Sequence, residues 1–237
     1  MSCYCPICAE LSAESGTRLS MAVGDQEVRN AVLRDSPSFA LIPSVGPLAL
    51  GHSLLVTKAH QSTVFGGLTA ADYDQVQALF AVFSAKIVDR INPSLEILCF
   101  EHGAARSFPD RELCSTVHAH LHLVPLADHL VARITKSVRG ESLDSLSPLT
   151  LSSTIESLTE YLLVFRLSRR GEINGATIQD ASELAPQFMR RLVADHIGNK
   201  NWNWKTHSDA FLLRQTIHLG FEVNASCILL SPASSKR

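Results

Sequence analysis

The chain has 237 residues, of which 46% are hydrophobic and 19% charged, and its formal net charge is −2. This length and composition suit a globular protein with a full core, either one large domain or a domain with a long extension. They exclude a disordered chain, and without a basic run the chain offers no electrostatic surface for a nucleic-acid polymer, so any nucleotide partner should be small.

Two features bear on the expected compartment. No run reaches the roughly 18 apolar residues that a membrane-spanning helix needs, so no membrane association is expected. The first ten residues, MSCYCPICAE, lack the basic-then-apolar layout of a secretion signal, which makes a cytoplasmic location the expectation.

Six cysteines, three of them crowded near the N-terminus, do not suit a disulfide framework. The thiols are therefore expected to be reduced.

The first half of the chain predicts the order strand, strand, strand, helix, strand, strand. Apolar residues recur at helical spacing from Tyr73 to Ile91, Thr69 can cap that helix, and Pro93 ends it. The predicted strands are Val28 to Arg34, Phe39 to Pro43, His52 to Lys58, Leu95 to Phe100 and Thr116 to Pro125. This order predicts an α+β fold, with an antiparallel sheet and one long helix.

The second half has a different character. A Ser- and Leu-rich stretch begins at Ser142, a strand is predicted from Glu160 to Leu167, and a helix from Ser182 to Ile197 ends at Gly198. We therefore predict a catalytic domain over residues 1–127 and a mixed extension over 128–237 that packs on it.

The sharpest motif is HAHLHLV, from His118 to Val124, in a predicted strand. Since side chains alternate across a strand, His118, His120 and His122 share one face. Such a row suits nucleophilic or acid–base chemistry, but two of its members could also ligate a metal, and an exposed row can be incidental. The triplet alone does not distinguish these three interpretations.

A second motif, GPLALGHSLLVTKAH from Gly46 to His60, precedes the triplet by nearly sixty residues. Together the two motifs resemble the histidine-triad superfamily of nucleotide hydrolases and transferases, over roughly half of the chain. The resemblance implies a small nucleotide substrate. It also implies a possible homodimer, since the family often forms dimers.

The resemblance assigns roles residue by residue. The middle histidine of the triplet, His120, is the nucleophile, and His122 helps to hold the phosphate. His52 orients the reactive ring, and Ser115 donates a hydroxyl to a phosphate oxygen. A neutral imidazole is a good nucleophile at pH 7, which agrees with these roles.

Three positions depart from the family pattern. Glu101 stands where an Asn is frequent, Cys114 stands where a Gln is frequent, and Ser44 stands where an acidic ribose-binding residue is common. Ribose recognition and the leaving group therefore stay open. Glu101 and His102, at the end of the strand facing the triplet, are predicted to contact the substrate.

Cys5 and Cys8 form a C-x-x-C pair whose spacing alone fits zinc, free thiols or a redox pair. Zinc needs four ligands in a tetrahedron. A zinc-bearing branch of the histidine-triad family supplies the other two from positions that correspond to His60 and His118. The resemblance therefore implies a structural Zn²⁺ held by these four residues.

The segment PQFMRRLVADHIG, from Pro186 to Gly198, resembles C-terminal extensions of some larger histidine-triad proteins. It reads either as a surface helix or as an element that brings Gln187, Arg190 or Arg191 to the substrate, because arginine suits phosphate. All three are predicted substrate-binding residues.

The function that these observations predict is a nucleotidyl hydrolase acting through a covalent nucleotidyl-histidine on a phosphoester, phosphoanhydride or phosphoramidate. Three alternatives remain: a nucleotidyltransferase or phosphorylase with the same intermediate, a nucleotide-binding sensor with negligible turnover, and a hydrolase whose triplet holds a catalytic metal.

Overall fold

The structure of the protein is a computed structural model that describes residues 4–12, 16–24, 32–104, 118–143 and 146–228. For residues 148, 149 and 221–228 it describes the backbone alone. Within these ranges the chain forms one mixed sheet-and-helix structure, which is the α+β class that the sequence predicts.

The eight strands in this part of the chain form a single sheet. They are β1 (Arg34–Asp35), β2 (Phe39–Pro43), β3 (Ser53–Thr57), β4 (Leu95–Ala104), β5 (His120–Ala127), β6 (Glu141–Leu143), β7 (Glu160–Leu167) and β8 (Ile173–Asp180). Their order across the sheet is β1-β2-β3-β5-β4-β7-β8-β6, and each neighbouring pair is antiparallel.

The helices in the described ranges are α1 (Pro6–Leu11), α2 (Arg18–Val23), α3 (Ala70–Phe83), α4 (Asp89–Ile91), α5 (Asp128–Ser137), α6 (Pro148–Glu156), α7 (Phe188–Ile197) and α8 (Ala210–Ile228). A π-helical turn, Ser84–Val88, joins α3 to α4. Thr69 caps α3 in a reciprocal capping box with Asp72, so the predicted long helix and its cap are confirmed.

The sheet has two differently covered faces. On the first face, residues such as Leu121 and Leu123 pack with Phe80 and Phe83 of the long helix. On the second face, alternate residues of the same strands pack against α5 and α7, or against α1 near the N-terminus. The second face is the one that carries the histidines of the triplet.

The second half of the chain extends the sheet of the first half. Strand β7 pairs with β4 along its whole length, from Ile97 opposite Leu167 to Ala104 opposite Glu160. The hydrogen bonds between these strands therefore cross the predicted boundary after residue 127. The division into a domain and an extension stays a prediction.

Some predicted boundaries differ from the structure. In place of a strand from Val28, β1 covers only Arg34–Asp35, and residues 28–31 lie outside the described residues. Helix α7 begins at Phe188 instead of Ser182. The physical reason is that Pro186 disfavours a helical Ala185, and Gln187 then takes a left-handed conformation with φ 62°.

None of the helices that the structure describes has the length and apolarity needed to cross a bilayer.

Candidate active site and metal centre

Strand pairing gathers the histidines on the second face of the sheet. His120 lies opposite Val56 of β3, and His122 lies opposite Leu54. His52 directly precedes β3, and its ring centroid is 5.2 Å from that of His122. The predicted alternation is confirmed, since Ala119, Leu121 and Leu123 face the opposite core.

A chain of hydrogen bonds fixes the ring nitrogens of two of these histidines. The Leu48 amide donates to Nδ1 of His52 at 3.0 Å, so the proton of His52 is on Nε2. That nitrogen lies 2.9 Å from Nδ1 of His122 and donates to it. The remaining proton of His122 is then on Nε2. Phe100 stacks on this ring at a centroid distance of 4.4 Å, which restricts its rotation.

His120 has the opposite tautomer from His52. Its Nδ1 lies 2.7 Å from the carbonyl oxygen of His118. A carbonyl only accepts, so Nδ1 carries the proton and Nε2 keeps a free lone pair. Burial lowers the pKa of His120, and it lowers the pKa values of His52 and His122 well below their ordinary range. All three rings are therefore neutral at pH 7.

A cleft of about 870 Å³, counted to its open mouth, lies over these rings. Its floor includes His102, His120 and His122. Its walls come from distant parts of the chain: α1 and α2, the segment from Ile42 to Gly46, and the N-terminal end of α7 with Trp204. The C-terminal half of the chain thus contributes directly to the cleft.

Arg190 is a buried cation in the wall of this cleft. Its Nε donates to the Trp202 carbonyl at 2.9 Å and its Nη2 to the Gly46 carbonyl at 2.5 Å. Burial lowers the pKa of Arg190 to about 10, so it stays charged at pH 7. It has no carboxylate partner among the described residues, whereas a buried charge ordinarily has one.

Gly46 permits this arrangement. A Cβ at Gly46 would lie 2.5 Å from Cβ of Trp204 and 3.1 Å from Nη2 of Arg190. A larger residue would therefore push Trp204 and the guanidinium away from the loop. Gln187 lies beside them in the cleft wall, where its Nε2 donates to Oδ1 of Asn203 at 3.2 Å.

His102 is also in the cleft, and a carboxylate holds it. Its Nε2 lies 3.4 Å from Oε2 of Glu160, the first residue of β7, and both side chains are mostly buried. Burial lowers the pKa of His102 and outweighs the hydrogen bond and charge of Glu160, which raise it. Sequence reasoning missed Glu160, because no local motif connects it to His102 across 58 residues.

Two predicted site residues, Glu101 and Arg191, are not brought to the cleft. Glu101 lies on the first face of the sheet, because residues of β4 alternate and His102 takes the cleft side. Its Oε1 accepts from the Val64 amide at 2.6 Å, and burial raises its pKa to about 8. Arg191 is exposed, with its guanidinium 6.0 Å from the ring centroid of Trp202. Ser115 lies outside the described residues.

The four predicted metal ligands form a cluster. One donor atom from each of Cys5, Cys8, His60 and His118 lies within 4.8 Å of the others. Sγ of Cys8 is 3.3 Å from Nδ1 of His60 and also 3.3 Å from Nδ1 of His118, and Sγ of Cys5 is 3.4 Å from the latter. Around a tetrahedral zinc, sulfur and nitrogen ligands are about 3.6 Å apart. The cluster is compatible with a metal site.

Local structure positions these donor atoms and sets their protonation. Cys5 caps α1, Pro6 starts its first turn, and Cys8 follows on the same turn, so the two sulfurs face the same ion position. Nε2 of His118 donates to the Thr57 carbonyl at 2.7 Å, which leaves Nδ1 unprotonated towards the sulfurs. Burial lowers the pKa of His118 to about 4 and keeps the ring in its ligating form.

The chain matches no protein-family model, and no curated protein matches it. Among solved structures it is similar to a hypothetical protein from Leishmania major, at 19% identity and a TM-score of 0.35 over 58% of this chain and 94% of the other. It is also similar to a zinc-bound histidine triad family protein from Mycobacterium smegmatis, at 16% identity and a TM-score of 0.29 over 59% of this chain and 91% of the other.

Proposed function

We propose that the protein is a nucleotidyl hydrolase of the histidine-triad kind, in which Nε2 of His120 attacks the α-phosphorus of a small nucleotide. One observation carries the proposal. The Nδ1–H of His120 is bound to a backbone carbonyl, so the free lone pair on Nε2 belongs to a neutral imidazole in a cleft.

The reaction has two displacements. The Nε2–P bond forms as the bond from phosphorus to the leaving group breaks, and the leaving group takes the electron pair and a proton. Water then attacks phosphorus, the P–N bond breaks, and its electron pair returns to His120. The net change is hydrolysis of one ester, anhydride or amidate bond, with one proton to each product.

Two groups in the cleft are suited to the phosphate. Nε2–H of His122 is held as a donor by the hydrogen bonds through His52, and it needs no reorganisation when charge develops on a phosphate oxygen. The charge of Arg190 has no carboxylate partner in the part of the chain that the structure describes. Both groups favour an anionic ligand over a neutral one.

The rest of the cleft suits a nucleoside. Its lining includes apolar residues such as Ile7, Leu19 and Ile42, together with the polar groups described above. A mainly apolar lining with a few polar and charged groups suits a nucleoside that carries a phosphate.

We assign a structural Zn²⁺ to Cys5, Cys8, His60 and His118. Bound there, zinc supplies cross-linking and charge neutralisation, and the four residues tie α1 to the start of β5. Since His118 serves this cluster, and His52 engages Nδ1 of His122, the arrangement gives little support to a catalytic metal on the triplet.

The direct test is incubation with adenylyl and guanylyl donors, with product analysis and intact-mass detection of a nucleotidylated chain. We expect release of a nucleoside monophosphate and an adduct of the corresponding mass. Transfer to phosphate or to another acceptor with the same adduct would identify a phosphorylase or transferase instead. Binding without adduct or turnover would contradict the proposal and identify a sensor.

The homodimer and the cytoplasmic location stay predictions. So does a partner set limited to small nucleotides.

A further inference from the structure

His102 differs from the other imidazoles of the cleft in how its two nitrogens are used. It lies on β4 two residues beyond Phe100, which stacks on His122, so it is on the same face as the reactive rings. One nitrogen meets the Glu160 carboxylate at 3.4 Å. The other, Nδ1, has no partner among the residues that the structure describes.

The other rings are committed elsewhere. Both nitrogens of His52 are engaged, by the Leu48 amide and by His122. His118 uses Nε2 for the Thr57 carbonyl and presents Nδ1 to the cysteines. His122 keeps its one free position as a donor, and His120 supplies the nucleophile. None of these four is left to carry a proton to and from the reacting groups.

We infer that His102 is the acid–base residue of the reaction, with Glu160 as the positioning residue that holds its ring and offsets its charge. This inference rests on the proposed function of the same cleft. The pairing of an imidazole with a buried carboxylate is a recurring way to fix a tautomer and support an imidazolium.

The proton moves in both displacements. As the bond from phosphorus to the leaving group breaks, Nδ1–H of protonated His102 gives its proton to the departing atom. The ring is then neutral, and Nδ1 accepts a proton from the water that attacks phosphorus. When the P–N bond to His120 breaks, both histidines have returned to their starting states, so protons and electrons balance.

The surroundings of His102 allow both protonation states. Glu160 faces it from β7. The same cleft is lined by His120 and His122 from β5, Arg190 from α7, and Glu10 and Arg18 from α1 and α2. Burial lowers the pKa of His102 and is the larger influence, whereas the hydrogen bond and charge of Glu160 raise it and favour the charged ring. Opposed influences of this kind are suited to a group that must both give and take a proton.

Two variants and a pair of substrates test the inference. His102→Gln removes the titrating ring, and Glu160→Gln keeps the size of its partner but removes the charge. The substrates are the p-nitrophenyl and phenyl esters of AMP, or of GMP if the parent uses guanylyl donors, because the phenyl group leaves poorly without an acid. His129→Gln, on the exposed surface of α5, is the matched control.

We expect His102→Gln to lower kcat for the phenyl ester about 100-fold, at the lower end of the usual contribution of acid–base catalysis. The p-nitrophenyl ester should lose less in the first displacement, and its adduct on the protein should persist longer. Glu160→Gln should shift the pH profile of kcat, whereas His129→Gln should change nothing.

The ratio of the two substrates separates chemistry from folding, because a structural defect lowers both rates equally. If the parent forms the adduct but the ratio and the pH profile are unchanged in both His102→Gln and Glu160→Gln, this inference is wrong and the proposed function stands. If the parent forms no adduct and releases no product, the proposed function fails, and the inference fails with it.

Discussion

His118 and His120 are two residues apart and share one side of the chain, but the structure presents opposite nitrogens of the two rings. The Thr57 carbonyl accepts a hydrogen bond from Nε2–H of His118, which leaves Nδ1 towards the two cysteines. The His118 carbonyl accepts a hydrogen bond from Nδ1–H of His120, which leaves Nε2 towards the cleft. One backbone acceptor at each ring therefore leaves Nδ1 of one histidine towards the cysteines and Nε2 of its neighbour towards the cleft.

The largest expected effect separates the two histidines by activity. His120→Ala removes the attacking atom, so turnover should fall by about a thousandfold or more, as when other covalent nucleophiles are removed. Bound zinc, measured by elemental analysis, should stay at the parent level. Turnover within tenfold of the parent would contradict the role of His120.

The next largest effect separates them by stability. Cys8→Ser removes one of the four donors, and because metal binding is coupled to folding it should lower zinc content and the melting temperature together. A loss of about 3 kcal/mol corresponds to roughly 6 to 12 °C at this chain length. Cys3→Ser is the matched control, since Cys3 is outside the C-x-x-C spacing. Equal zinc content in Cys8→Ser and Cys3→Ser would contradict the assignment of the metal centre.

A smaller effect distinguishes two neighbouring arginines. Arg190 is buried in the cleft wall, whereas Arg191 is exposed. Arg190→Gln should therefore lower kcat/KM by an amount equivalent to about 1 to 3 kcal/mol, the range for a charged hydrogen bond. Arg191→Gln should leave kcat/KM nearly unchanged. Equal losses in the two variants would mean that burial of Arg190 has no functional meaning.

The smallest effect concerns the opposite face of the sheet. Burial raises the pKa of Glu101 to about 8, so the folded protein keeps this carboxyl protonated while the unfolded chain ionises near 4.5. Stability from this group is complete below pH 4.5 and is lost as the pH rises through 8. Glu101→Gln mimics the protonated form. Urea unfolding should therefore show a smaller loss of stability between pH 6 and pH 9 in Glu101→Gln than in the parent.

An identical pH dependence in the parent and in Glu101→Gln would show that Glu101 does not titrate in this range. Activity at pH 6 should be the same in both proteins, because the carboxyl is on the side of the sheet away from the cleft.

Much of the fold could be predicted from periodicity. The helix capped by Thr69 and the strands around His52 and His120 follow from local patterns, because their apolar spacing and caps involve neighbours in sequence. The start of α7 could not be predicted, because the left-handed Gln187 after Pro186 decides it.

The candidate site also has a part that local sequence predicts and a part that it does not. The roles predicted for His120 and for the four metal ligands come from compact motifs and the family resemblance that they carry. The contact of Glu160 with His102, and the separation of Glu101 from His102, depend on strand register. Register is set by the pairing of β4 with β5 and β7, which no short motif specifies.

The most direct test of the different roles proposed for His118 and His120 is to locate the covalently bound nucleotide. The parent protein, treated briefly with the p-nitrophenyl ester of AMP or GMP, is digested at neutral to alkaline pH, which preserves P–N bonds, and its peptides are sequenced by mass spectrometry. We predict a nucleotidyl group on His120 alone, with zinc still bound to the undigested protein. A modified His118 or His122 beside an unmodified His120 would contradict the assignment.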